Sequence, residues 1–150
     1  RLNLAGVFSE QSLEDTVKKL EEWSAVNELG FLKRHEINKV LAKSKAGLVT
    51  LHPIINYIDA LPVKMFEYMA AGLPVIASNF PLWREIIEDN KCGLCVDPMN
   101  PKEIGNAIKY LKDNPKEAEE MGKNGRKAVE EKYNWPVEEK KLLDFYEKIK

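Results

Sequence analysis

Five short apolar runs punctuate this sequence up to Val96, and amphipathic stretches separate them. The runs are Leu2 to Ala5, Val26 to Phe31, Gly47 to Leu51, Pro74 to Ala77 and Gly93 to Val96. Apolar runs this short, separated by helical patterns, have the rhythm of a parallel sheet covered by helices. Leu13, Val17 and Leu20 share one helical face between the first two runs, and Ile37, Val40 and Leu41 share another between the second and third. Both segments are expected to pack as crossovers. The fold class that follows is α/β: a Rossmann-like parallel sheet of about five strands with helices on both faces.

After the fifth run the rhythm changes, and three helices follow without a further strand. Two of them open on the same tetrapeptide, Asn100-Pro101-Lys102-Glu103 and Asn114-Pro115-Lys116-Glu117. Asn suits the N-cap, Pro suits the first helical position because its missing N–H costs nothing there, and Glu at the third can reach back to the cap. The first helix is expected to bury Ile104, Ala107, Ile108 and Leu111. The second offers a slim face of Ala118, Met121, Gly125 and Ala128. The third, entered through Asn134-Trp135-Pro136, carries Leu142, Leu143, Tyr146 and Ile149 on its apolar side. The spacing of the tetrapeptide is not sustained, which argues against a solenoid. A chain of 150 residues with 44% apolar content suffices for one core of ordinary size, so residues 1–150 are expected to form a single domain. The opening of Arg1 directly into an apolar strand reads as a fragment whose first strand-helix unit lies upstream.

Acidic and basic residues nearly cancel to a formal charge of −1. No basic stripe is present for a nucleic acid to bind. The apolar stretches are too short to cross a bilayer and the start does not read as a signal peptide, so a soluble, cytosolic protein is expected. Cys92 and Cys95 form a C-x-x-C, but Cys95 falls inside the strand-like Leu94-Cys95-Val96 rather than at a helix N-terminus, and His35 and His52 stand isolated in sequence. They read as buried structural cysteines, with no metal site.

The segment from Asn56 to Asn79 carries the chemistry. A loop ending in Leu61-Pro62 feeds a helix from about Val63 to Ala71, Gly72 supplies a left-handed stop, and Pro74 blocks continuation before the next strand. Strand end, loop and helix N-terminus therefore meet. In open α/β sheets ligands collect beyond the carboxyl ends of the strands, and a helix N-terminus offers free N–H groups to an anion such as a diphosphate. The amides of Ala60, Leu61, Val63 and Lys64 are the candidates, since Pro62 has none. Lys64 and Glu67 share a face with Tyr68 and Ala71; Lys64 can oppose a phosphate, and Glu67 can accept both hydroxyls of a ribose. On spacing alone, an ordinary surface Lys–Glu pair is the better reading. Asp59, just ahead of the helix, reads equally well as a cap.

The whole chain resembles the C-terminal, donor-binding domain of GT-B-fold glycosyltransferases, in particular the large retaining family 4, or glycosyl transferases group 1. The resemblance is densest over Phe66-Glu67-Tyr68-Met69-Ala70-Ala71-Gly72-Leu73-Pro74-Val75-Ile76-Ala77-Ser78. That family carries two glutamates eight positions apart around a glycine-rich turn. The resemblance makes Glu67 the second, a ribose ligand, and puts Asp59 at the position of the first, which faces the donor sugar. Ala60-Leu61-Pro62 stand where the family usually has Gly-Phe-Gly. Leu29-Gly30-Phe31-Leu32 resembles the strand end whose following loop holds the nucleobase through backbone groups near Leu32. The tail, with Met121-Gly122, Gly125-Arg126 and Tyr133-Asn134-Trp135, resembles the family's closing helices. The family's basic phosphate-binding residues lie upstream of Arg1.

What the resemblance implies is transfer of a sugar from a nucleotide-diphosphate sugar with retention, without a catalytic metal or other cofactor, in polysaccharide or lipopolysaccharide assembly. The partners it implies are the nucleotide-sugar donor and a missing N-terminal acceptor domain, with the full-length protein cytoplasmic or peripheral at the inner face of the membrane. No catalytic residue is assignable in this stretch, and the stretch alone is expected to bind nucleotide without turnover. A sugar-nucleotide epimerase and an inactive binding module remain as alternatives. A dinucleotide dehydrogenase is disfavoured, because Ala5-Gly6-Val7 offers one glycine where G-x-G-x-x-G is needed.

Overall fold

The computed structural model describes residues 1–149. They divide into two compact units, Arg1–Lys43 and Ser44–Lys150. In the first, β1 (Leu2–Ala5) pairs in parallel with β2 (Val26–Gly30) through α1 (Gln11–Val17) and a 3-10 turn (Glu21–Ala25), and α2 (Arg34–Leu41) follows. Helix α2 starts where the Lys33 N–H donates to Glu36 Oε2 at 2.7 Å. No residue of this unit is fully buried. Leu13 and Leu20, expected on an inward face, are exposed; α1 ends at Val17, before Leu20 can join its stripe.

In the second unit β3 (Gly47–Val49), β4 (Val75–Ser78) and β5 (Gly93–Val96) form a parallel sheet with β4 at its centre. The expected five strands are thus all present and parallel, divided into a pair and a trio rather than one continuous sheet. Alternation along the strands sorts the core onto two faces. Val49, Val75 and Ala77 pack with α4 (Val63–Ala70), α5 (Pro81–Asp89) and Ala128 of α7 (Pro115–Glu131). Ile76 and Val96, with Leu48 and Leu94, pack with Ala107 and Leu111 of α6 (Pro101–Asp113) and Ala118 of α7.

Of the expected slim face of α7, Ala118, Gly125 and Ala128 are buried and Met121 is half-buried, with Gly122 buried beside them. Its closest approach is at Gly122, where an added Cβ would lie 2.1 Å from the Gly72 carbonyl oxygen. The twin tetrapeptides behave differently. Asn100 caps α6, accepting from the N–H groups of Lys102 (3.1 Å) and Glu103 (3.4 Å). Asn114 makes no such cap, because it is also the last residue of the preceding turn and its Nδ2 donates to the Tyr110 carbonyl. Ile108 of α6 is exposed rather than buried. Helix α8 (Trp135–Lys148) forms as expected, but Leu142, Leu143, Tyr146 and Ile149 are all exposed, so its apolar side covers no core among the described residues.

Candidate functional site

The carboxyl end of β3 releases the chain into residues 50–62, which include a single helical turn, α3 (Ile55–Ile58), that the apolar pattern did not announce. Two side chains of the following strand and helix hold this loop. Ser78, the one fully buried polar residue among those described, accepts the Leu51 N–H (2.8 Å) and donates to the Leu51 carbonyl (2.9 Å). At the far end, the buried indole of Trp83 donates to the Ala60 carbonyl at 2.6 Å. A buried indole N–H needs an acceptor, and this contact satisfies it. Neither residue was flagged from sequence. The signal the sequence offers is that each places a polar atom next to an apolar run.

From Ala60 the chain passes through Leu61 to Pro62, the N-cap of α4. The Ala60 N–H donates to the Tyr57 carbonyl at 3.3 Å, so this candidate amide is engaged within the loop. The N–H groups of Leu61, Val63 and Lys64 meet no acceptor among the described residues. Asp59, Leu61, Val63 and Lys64 are exposed, while Glu67 is half-buried. The loop and the first two turns of α4 thus bring Asp59, Ala60, Leu61, Val63, Lys64 and Glu67 into one continuous segment at the carboxyl edge of the sheet. Leu32 belongs to the first unit, half-buried after the left-handed Gly30 (φ 63°).

The inner face of α4 fixes how Glu67 leaves the helix. Met65 and Met69 are fully buried beneath it, and the Phe66 ring meets Tyr133 in a tilted pair with centroids 5.2 Å apart. The Tyr68 ring covers Gly47, where a Cβ would clash with it. Burial raises the Tyr68 phenol above its ordinary range, and the neighbouring Glu67 charge raises it further. Glu67 therefore sits between an exposed helix start and a half-buried phenol.

The chemistry open to this arrangement is recognition of an anion and of paired hydroxyls. Free amides and the helix dipole favour an anion by about 0.3–1 kcal/mol at exposed sites and about 2 where solvent is reduced. A carboxylate accepting two hydroxyls adds about 1.5–3 kcal/mol per charged hydrogen bond. The C-x-x-C is different in kind. Cys92 is buried, with its Sγ 3.7 Å from the Ile87 carbonyl, and burial pushes both thiols up to about 11. They are poor nucleophiles at neutral pH.

Comparison with known proteins matches the family model "Glycosyl transferases group 1" to residues 1–128. Spore coat protein SA of Bacillus subtilis (strain 168) is 29% identical over 147 residues, covering 94% of this chain and 38% of that protein. The chain therefore spans little more than a third of that relative. Among solved structures, a sucrose-phosphate synthase from Thermosynechococcus elongatus matches 99% of this chain and 38% of its own, with TM-score 0.83 and 23% identity. The Anabaena HepE protein, solved in complex with UDP, matches 97% of this chain and 40% of its own, with TM-score 0.82 and 19% identity. Likeness at these identities is likeness of fold.

Proposed function

The chain belongs to the glycosyl transferases group 1 family, and from that premise we propose that it is the donor-binding part of an enzyme transferring a sugar from a nucleotide-diphosphate sugar with retention. The observation that carries this reading is the segment 59–67, where unspent amides at the start of α4 precede a half-buried carboxylate, Glu67. In this reading the diphosphate lies against the N–H groups of Leu61, Val63 and Lys64, with the Lys64 ammonium beside it. Glu67 accepts the two ribose hydroxyls, and Asp59 faces the sugar. As the sugar departs, negative charge grows on the diphosphate, and preorganised amides and a cation stabilise it without a metal. The UDP held by a protein of the same fold supports a nucleotide as ligand.

The acceptor, and the residues completing transfer, belong in this proposal to an N-terminal domain, consistent with coverage of 38% of the relatives' length. We take the setting to be polysaccharide or lipopolysaccharide assembly in the cytoplasm or at the inner face of the membrane. No helix among the described residues is long and apolar enough to cross a membrane.

Calorimetric titration of the 150-residue chain with UDP and with GDP tests the reading. One of the two is expected to bind, and Glu67→Ala to weaken it about tenfold or more, the equivalent of one or two charged hydrogen bonds. Unchanged affinity in Glu67→Ala, or no binding of either nucleotide at millimolar concentration, would overturn it. Transfer to an acceptor by these residues alone would overturn the division of labour between domains.

A further inference from the structure

We infer that Trp83 is a positioning residue for donor binding: from α5 its indole fixes the Ala60–Leu61 peptide so that the Leu61 N–H faces the diphosphate. The inference rests on the donor-site reading above and adds to it a residue outside the loop and outside α4.

No cis peptide bond occurs among the described residues, so the carbonyl of Ala60 and the N–H of Leu61 point in opposite directions across one rigid plane. The Trp83 Nε1–H grips that carbonyl at 2.6 Å. Turning the carbonyl toward α5 therefore turns the Leu61 amide away from α5 and toward the open side of the loop. The ring cannot swing to follow a different loop conformation. It is fully buried, lies edge-on against Phe80 at 4.8 Å, and shares its core with Met65 of α4 and Ile87 of α5.

Neighbouring groups leave this amide with a special place. The Ala60 N–H is engaged by Tyr57, and Pro62 has no N–H to give. Helical geometry sets the amides of Val63 and Lys64 once α4 forms. The Leu61 amide alone in the set takes its direction from a side chain elsewhere in the fold. Ser78 grips Leu51 at the other end of the same loop, so strand β4 and helix α5 together hold both ends of the segment that bears Asp59.

The test compares Trp83→Phe, which keeps an aromatic ring in the core and removes the N–H, with Ile87→Val, which loosens the same core and leaves the hydrogen bond. Each ¹⁵N-labelled protein is titrated with UDP and GDP and with uridine and guanosine. Trp83→Phe should weaken the nucleoside diphosphate that the unsubstituted chain binds by about five- to tenfold, the effect of one hydrogen bond, while leaving the corresponding nucleoside unchanged. Ile87→Val should leave both within about twofold. Equal losses for diphosphate and nucleoside, or the same diphosphate loss in Ile87→Val, would overturn the positioning role. Should Trp83→Phe fail to fold, the Trp83 indole resonance of the unsubstituted chain decides: it should shift on adding the diphosphate and stay in place on adding the nucleoside, and an unmoved resonance would overturn the role. Failure of the unsubstituted chain to bind either diphosphate sinks the donor site itself, whereas binding that Trp83→Phe does not disturb sinks only the part assigned to Trp83.

Discussion

The two units of this chain use similar elements in opposite ways. Residues 1–43 pair two parallel strands and bury no side chain completely, and their contacts are polar or marginal. Asn27 donates to Asn3 at 3.0 Å, Lys18 bridges Glu14 (2.5 Å) and Glu28 (2.8 Å), and Phe8 meets Trp23 at 6.0 Å. Residues from 44 onward sandwich a three-stranded sheet between helices, with Trp83, Met65, Met69, Ile76 and Ile87 wholly out of solvent. A two-stranded sheet is marginal by itself, whereas a sheet covered on both faces supplies most of a domain's stability. The loop proposed to meet an anion sits in the second unit, where its two anchors, Ser78 and Trp83, are buried.

The sharpest way to break this contrast is a pair of truncations. Met69→Ala should cost about 2–5 kcal/mol in urea denaturation, and Leu4→Ala in β1, which is half-buried, less than about 1 kcal/mol. Equal losses would show that the first unit contributes a core its burial does not reveal. A more gradual effect is expected from alkali. Both thiols lie in the second unit, and their folded pKa values of about 11 exceed the unfolded value. Between about pH 9 and 11 the unfolded chain has lost these protons while the folded chain keeps them, so stability is full below this window and falls through it. The slope is at most about 1.4 kcal/mol per pH unit for each thiol, and Cys92→Ala should flatten it when denaturation is followed against pH. The smallest change is a gain. Gly105 lies within α6, where an added Cβ meets nothing, and Gly105→Ala should stabilise by about 0.5–1 kcal/mol, read as a rise in Tm.

The same division explains what the sequence made legible. In the second unit, apolar runs at 47–51, 74–77 and 93–96 became strands within two residues, because burial on both faces leaves an uninterrupted apolar signature. Helix α4 and its Gly72 stop (φ 73°) emerged as read, since Pro62, Gly72 and Pro74 punctuate the backbone locally. Helix α1 carried the right spacing with too little neighbouring surface to bury it, and α8 shows how an apolar stripe reveals a helix without revealing what covers it. Within the candidate site, Glu67 and the helix-start amides were legible as a pattern. The grip of Trp83 on Ala60 was not, because it joins residues 23 apart through a bond that no periodicity encodes. The engagement of the Ala60 amide was hidden for a related reason: it depends on α3, a four-residue turn too short to leave a helical stripe.

Backbone stacked on backbone at Gly122 and Gly72 has a last consequence. Helix α7 rests on the turn that terminates α4, so α4 can neither rotate about its long axis nor lengthen by a residue without lifting a seventeen-residue neighbour off its seat. The azimuth of Glu67 is indexed by a contact well over one turn away. In the proposed site, substitutions in residues 54–61 can accordingly change what lies above the helix while the carboxylate keeps its bearing, so ligand preference and aim are set at opposite ends of one short element.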